Sequence, residues 1–291
     1  MNFIWDMVTE WLKGILIGGI MDNLMGLFGN MNQQIADIAA QIGSTPQGWN
    51  AGIHNMIRSL SETVILPIAG MILAFVATLE LIQLVLEKNN MHEFDTWVFF
   101  KWIFKTFAAV LIVTNTWNIV MGIFEMAQSV VSRAAGVIIS DTSIDLNTVI
   151  VNLEGRLRAM DIGPLLGMWF QSLFVSITMF GLTICIFVVI YGRMIEIYLV
   201  TSIAPIPLAT MTHREWGQMG QNYIRSLLAL GFQAFLIIVC VGIYAVLVQS
   251  ISLDVNGDLN AAIWTCVGYT VLLCFTLFKT SSLSKSVFNA H

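Results

Sequence analysis

Long runs of residues without a charge constrain this chain more than any other feature of its sequence. Residues 106–124, 162–192, 226–253 and 259–278 contain no Asp, Glu, Lys or Arg, and they are nineteen, thirty-one, twenty-eight and twenty residues long. A hydrocarbon core about 30 Å thick is crossed by roughly 20 helical residues. Each run is therefore long enough to cross a membrane as a helix. A fifth apolar segment, 63–86, has a comparable length.

Composition supports a lipid environment for these runs. Of the 291 residues, 57% are hydrophobic and 11% are charged, and the mean hydropathy is +0.80. A soluble domain carries about 25% charged residues, so this chain cannot cover a globular surface with polar groups. The net charge of −5 gives no basic surface for binding duplex DNA.

The predicted fold is all-α, a polytopic membrane helical bundle with about five transmembrane helices. With the N-terminus outside, eight lysines and arginines fall on the cytoplasmic side and five on the outer side, which is the bias that sets orientation. We expect a multi-pass protein of the cell (inner or cytoplasmic) membrane, with its C-terminus in the cytoplasm. The predicted bundle covers residues 62–291, with spans at 63–86, 102–124, 163–192, 226–250 and 259–278.

The N-terminal residues 1–61 are predicted to be an extracytoplasmic region built on an amphipathic helix. Apolar residues recur at helical spacing from Ile4 to Leu16, with charged residues between them. The polar stretch NQQIADIAAQIGSTPQGWNAG, which contains Gly and Pro, is typical of a helix end and a linker. A sixth span through 14–29 is the less favoured alternative, because it would bury Asp22 and the asparagine that follows it.

The other sizeable segment outside the predicted spans is 125–161, which we expect on the outer face. It contains two short candidates for amphipathic helices, separated by the turn-like sequence DTS. Such a segment could lie on the membrane surface, dock a partner, or simply connect two spans.

Three charged residues are predicted to lie near the cytoplasmic ends of the first two spans. Lys101 and Lys105 are four residues apart and share one face of a helix. The two spans are joined by a short connection and should be antiparallel, so Glu80 and Lys105 are predicted to form an ion pair at similar depth, which relieves their desolvation. The alternative is that the lysines reach the interface alone, leaving Glu80 protonated or hydrated.

Two amides interrupt the second predicted span. Asn115 and Asn118 are expected to hold neighbouring helices together through hydrogen bonds, the usual use of polar residues at that depth. The less favoured interpretation is that they line a path through the membrane.

Residues 193–212 are predicted to form an elbow in the inner leaflet of the membrane. Arg193 and Glu196 share one helical face, where a local ion pair is expected. Pro205 and Pro207 remove two backbone donors and break the helix. The sixteen uncharged residues of IYLVTSIAPIPLATMT are too few to cross comfortably, so the chain is expected to enter, turn at the prolines and return.

The stretch GRMIEIYLVTSIAPIPLATM resembles the best-known segment of the TrbL/VirB-six family, the polytopic inner-membrane subunits of conjugative type IV secretion systems. ETVILPIAGMILAFVATLELIQLV and FFKWIFKTFAAVLIVTNTWNIVMGIFEMAQSVV look like the shorter branch found in conjugative elements of Gram-positive bacteria. The resemblance covers roughly residues 50–285, and its motifs are built mostly from apolar residues. By match to the motif, it assigns importance to Arg193, Pro205 and Pro207.

The resemblance implies a scaffold or channel subunit that helps to pass single-stranded DNA with an attached relaxase across the membrane. It implies as partners other secretion-system membrane subunits, cytoplasmic ATPases, the coupling protein, the DNA–relaxase substrate in transit, membrane lipid and further copies of the chain. Many members of the family have a large central outer loop, whereas the outer segment here has only about forty residues. Direct contact of that loop with DNA is therefore not expected.

An enzyme is the class least supported by the sequence. It contains no GxxxxGK[ST], HExxH or GxSxG motif. The four histidines lie in different segments and the four cysteines in apolar runs, so no metal or cofactor is expected. The main alternative is a secondary transporter or a small-solute channel, since a helix broken by prolines is also a transporter feature.

Overall fold

The computed structural model describes residues 2–87, 96–141, 153–253 and 259–290. Within these residues the protein is helical almost throughout and contains no strand, which confirms the predicted all-α class. Residues 142–152, which include most of the DTS turn and part of the second helix predicted in the outer segment, lie outside the described residues.

The helices follow one another with short connections. A π-helical turn, Ser61–Ile65, joins the helix Ala51–Leu60 to the helix Leu66–Glu87 without a break. Residues 153–158 form the short helix α7. The other helices are α1 Asn2–Ile42, α2 Pro46–Trp49, α3 Ala51–Leu60, α4 Leu66–Glu87, α5 Thr96–Thr114, α6 Thr116–Asp141, α8 Ile162–Ser202, α9 Pro205–Thr210, α10 Gly217–Leu253 and α11 Leu259–Val287.

Five helical stretches of the described chain are long and apolar enough to cross a membrane. Large apolar side chains cover their outer surfaces: Phe104, Phe180 and Phe275 are 73%, 69% and 66% exposed. Such surfaces suit lipid rather than water, so the protein is a multi-pass membrane protein. The five stretches are Ala51–Leu86, Thr96–Thr114, Ile162–Ser202, Gly217–Ser250 and Asn260–Val287.

Several helices extend beyond the ends that the sequence predicts. α1 continues to Ile42, so the predicted helix end and linker within NQQIADIAAQI is wrong. α6 passes Glu125 and continues to Asp141, and α8 passes Arg193 and continues to Ser202. The physical reason is that a charged residue ends an apolar run without ending a helix, since Glu and Arg both have high helix propensity.

The helices form two compact units. Unit 1 is held by close helix contacts and by buried hydrogen bonds. A Cβ on Gly242 of α10 would lie 3.0 Å from Ile138 of α6, which shows how closely these two helices approach. The Tyr244 hydroxyl of α10 and the Thr270 hydroxyl of α11 lie 2.9 Å apart and form a buried hydrogen bond. Unit 1 comprises Met1–Ile42, Val131–Ile190 and Leu236–Thr280.

Unit 2 has two apolar clusters. In the first, α6, α8 and α10 meet through Phe124, Met194 and Leu230 and their neighbours. In the second, small residues let α4, α5 and α9 approach closely, with Ala209 buried among them. The second cluster fixes the position of α9, which carries both prolines of the predicted elbow. Unit 2 comprises Gly43–Val130, Tyr191–Phe235 and Ser281–His291.

Candidate functional site: the helix break after α8

The helix that contains Arg193 breaks ten residues after it, at Ile203 and Ala204. The short helix α9 follows, and a turn over residues 211–216 leads into α10. The observed elbow, residues 203–216, therefore begins later than the predicted elbow 193–212. The prolines do break the helix, as predicted, but the segment from 193 to the break is regular helix.

Neighbouring residues replace the hydrogen bonds that the prolines cannot make. Pro205 is the first residue of α9, where a missing N–H is least costly. The N–H of Ala204 donates to the Thr201 carbonyl at 3.2 Å, and the N–H of Ile206 donates to the Ile203 carbonyl at 3.1 Å. These two bonds each reach back three residues instead of four, and they give the Thr201 and Ile203 carbonyls a donor within the break. The break is therefore a hydrogen-bonded turn rather than an open end.

Two glycines let the start of α10 lie directly against α9. A Cβ on Gly217 would lie 2.8 Å from the Met211 carbonyl oxygen. A Cβ on Gly220 would lie 2.7 Å from both the Pro207 carbonyl oxygen and the Met211 Cβ. Because any larger residue would push the two backbones apart, these glycines fix the angle of the elbow.

A buried histidine caps the turn that follows α9. The Nδ1 atom of His213 accepts hydrogen bonds from the N–H groups of Glu215 and Trp216, each at 3.2 Å. Accepting them requires Nδ1 to be unprotonated, so the proton of the neutral ring lies on Nε2. The ring also packs against Trp216, whose ring stacks on Phe75 of α4. His213 therefore connects the turn to the helix that α9 packs on.

Arg193 lies inside unit 2, close to the elbow in sequence. It is 7% exposed, and its Nε donates to the Leu230 carbonyl oxygen of α10 at 3.1 Å. Within the part of the chain that the structure describes, no carboxylate lies within ion-pair distance of the guanidinium. Arg193 is thus a buried charge in an apolar helix, and its described hydrogen-bond acceptors are the Leu230 carbonyl and, more weakly, the Met194 sulfur at 3.9 Å.

The predicted ion pair between Arg193 and Glu196 is wrong. The Glu196 carboxylate instead pairs with Lys285 of α11 at 2.9 Å. A spacing of three residues placed Arg193 and Glu196 on one face, but the guanidinium turns inward toward α10 while the carboxylate is 36% exposed. The Glu196 carboxylate therefore pairs with a lysine that is distant in sequence, and not with Arg193.

The predicted ion pair between Glu80 and Lys105 is confirmed. Lys105 Nζ bonds Glu80 Oε1, and the two side chains are 40% and 18% exposed. Trp102, one turn before Lys105, donates its indole N–H to the Ala77 carbonyl at 3.2 Å, which holds α4 and α5 in register. Lys101 lies over the ring of Trp97 at 5.7 Å, a cation–π contact.

The predicted role of the two amides as connectors between helices is wrong for Asn115. Its Nδ2 donates to the Leu111 carbonyl of its own helix at 2.9 Å, and it occupies the single irregular residue between α5 and α6. Asn118 is exposed. The contact between helices comes instead from Trp117, which is buried and packs edge-on against His54.

Sequence reasoning missed two tyrosines that fix the end of α8. The Tyr198 hydroxyl donates to the Pro46 carbonyl, and the Tyr223 hydroxyl donates to the Val200 carbonyl at 3.0 Å. Two signals could have found this region: tyrosines inside an apolar helix need a partner for their hydroxyl groups, and a pair of glycines three residues apart begins α10. Among the described residues, no group of three or more His, Cys, Asp or Glu side chains is arranged to hold a metal ion.

The long apolar helices, one of them broken at two prolines, define a polytopic helical membrane protein. The family described as TrbL/VirB6 plasmid conjugal transfer like protein matches residues 31–205, which is more than half of the chain. The chain therefore belongs to this family. The matched region includes Arg193 and ends at Pro205. No curated protein and no solved structure matches the chain.

Proposed function

We propose that the protein is a non-enzymatic scaffold or channel subunit of a conjugative type IV secretion system, and that it helps to move single-stranded DNA with an attached relaxase across the cell membrane. Membership of the TrbL/VirB6 family supports a part in conjugal transfer. The observation that carries the proposal for the site is the buried Arg193 beside a rigid elbow. The elbow is the segment through which we expect neighbouring subunits to act.

The argument for Arg193 rests on the cost of burying it. A guanidinium removed from water without a carboxylate partner loses more solvation free energy than one backbone hydrogen bond restores. A residue that costs stability in an apolar helix is a candidate for function rather than for folding. Its position in α8, before the elbow, lets it bind an anionic group or a partner carboxylate when the helices around it move.

Deletion of the gene tests the proposal as a whole. We expect the deletion to abolish transfer of a conjugative element, and expression of the intact chain in trans to restore it. Transfer at the normal frequency from a clean deletion would contradict the proposal. The intact chain should also co-purify with an ATPase or the coupling protein of the same system and with further copies of itself.

The site is tested with Arg193→Met, which keeps the volume of the side chain and removes its charge. We expect the variant to accumulate normally in the membrane and to lower the frequency of transfer at least tenfold. Lys279→Met is the matched control, because it removes an exposed charge from an apolar helix. Equal transfer frequencies for the two variants would contradict a functional role for the Arg193 charge.

A secondary transporter or small-solute channel remains the second candidate, favoured by one observation. The short helix α9, which follows the break, packs on α4, and α4 itself follows the π-helical turn Ser61–Ile65. Paired irregular helices form the sites of many transporters. Purified protein in vesicles distinguishes the two: substrate-dependent uptake would favour a transporter, whereas a secretion subunit should show none.

A further inference from the structure

Helix α1 packs alongside the long helix α8 and runs in the same direction, and their contacts begin near residue 19 of α1. A Cβ on Gly19 would lie 2.7 Å from the indole nitrogen of Trp169, so the two helices almost touch there. One turn later, Asn23 Nδ2 donates to Ser172 Oγ at 2.9 Å. Ser176 Oγ donates to Asn23 Oδ1 at 2.9 Å. Both polar ends of Asn23 are therefore satisfied by α8.

The same order of contacts continues toward the other end of α8. Ile38, which is buried, lines a small apolar cleft in unit 1 together with Ile186 and Ile190. As residue numbers rise from 19 to 38 on α1, the numbers of the residues that they contact on α8 rise from 169 to 190.

We propose that α1 crosses the membrane beside α8, which places the N-terminus and the end of α1 at Ile42 on opposite sides. From Trp169 to Ile190, α8 rises about 32 Å, which matches the hydrocarbon core of about 30 Å. α8 is one of the helices that are apolar and long enough to cross. A segment that contacts α8 in the same order over that length crosses with it. The proposal revises the extracytoplasmic location expected for residues 1–61.

The two aspartates of α1 do not prevent this crossing. Asp22 and Asp37 are exposed and, being fifteen residues apart, are separated by about 22 Å along the helix. In a core about 30 Å thick that is centred between them, each lies about 4 Å from a surface. Residues 23–36 between them carry no charge. The carboxylates therefore lie near opposite surfaces of the membrane, and Asn23 meets the two serines instead of lipid.

Labelling in cells tests the crossing without changing the contact between α1 and α8. In a chain whose four native cysteines are replaced by alanine, Asp6→Cys and Gln47→Cys each introduce one exposed thiol. We expect a membrane-impermeant maleimide to label one of them in intact protoplasts and the other only after lysis. Labelling of both thiols from the same side would overturn the proposal.

A cysteine pair tests the neighbouring position of the two helices. We expect oxidation of membranes that carry Asn23→Cys with Ser176→Cys to remove both sites for a maleimide–polyethylene glycol adduct, because the two thiols join. Asn23→Cys with Ile177→Cys is the matched control, since Ile177 is 65% exposed and points away. Equal loss of adducts in the two pairs, or no loss in either, would contradict a fixed contact between α1 and α8.

Discussion

The end of α8, just before the elbow, and the α4–α5 hairpin each place a basic side chain in an apolar helix of unit 2, and the two basic groups have different kinds of partner. In the hairpin, Lys105 is 40% exposed and pairs with the carboxylate of Glu80. In the elbow region, Arg193 is 7% exposed and donates to the Leu230 carbonyl. In the hairpin each charge depends on the other, whereas no described carboxylate depends on Arg193.

This difference separates charged groups that stabilise the folded protein from charged groups whose burial lowers its stability. Removing one member of an ion pair leaves an unpaired charge that is partly desolvated. Replacing a buried charge that has no partner by an apolar side chain of similar size removes a cost. Stability should therefore depend on Lys105 more than on Arg193, although Arg193 is the more deeply buried of the two.

The largest effect should come from the backbone contact of the elbow. Gly220→Leu places side-chain atoms where the Pro207 carbonyl and Met211 lie, and overpacking of this kind costs about 3 kcal/mol. We expect a lower yield of detergent-soluble protein and a lower midpoint of thermal unfolding. Gly192→Leu is the control, because a Cβ there meets nothing within 4 Å. Equal losses in the two variants would show that the contact does not fix the elbow.

The next effect concerns the hairpin. Lys105→Met leaves Glu80 without its partner, and we expect a loss of about 1 kcal/mol, since the pair is partly exposed. Adding Glu80→Gln to Lys105→Met should cost nothing further. A double-mutant cycle on the thermal midpoint measures this coupling. Additive losses would mean that the two side chains do not interact in the membrane.

A smaller effect is expected at the more exposed ion pair. Glu196 and Lys285 are 36% and 44% exposed, so Glu196→Gln should cost about 0.5 kcal/mol or less. The loss should shrink at high salt, because solvent ions screen exposed pairs. Thermal midpoints at low and high salt check this result. A loss that salt does not change would show that the pair is shielded from solvent.

The smallest effect on stability should be that of Arg193→Met. We expect a change within about 0.5 kcal/mol, or a gain, because no described charge is left without its partner. Arg193→Ala should cost about 2 kcal/mol, because it leaves a cavity. Thermal midpoints of both variants give the comparison. If methionine costs as much as alanine, the guanidinium itself stabilises the elbow, and the contrast with Lys105 fails.

The sequence by itself determined the fold class, the helix break at the prolines and one ion pair. Charge-free runs show which segments need lipid, and the lost N–H groups of Pro205 and Pro207 break any helix. The pairing of Glu80 with Lys105 follows from a short connection between two antiparallel helices. Each of these three inferences depends on residues close in sequence or on composition, and none depends on how distant helices pack.

Only the tertiary structure decided which helix faces meet. A helix that is apolar on all sides has no periodic signal to show its packed face, so the extension of α8 to Ser202 and the inward turn of Arg193 were not predictable. Glu196 pairs with Lys285, eighty-nine residues away in sequence, and α1 contacts α8 through Asn23. Such contacts are set by the packing of whole helices, because short-range spacing says which residues share a face and not what that face touches.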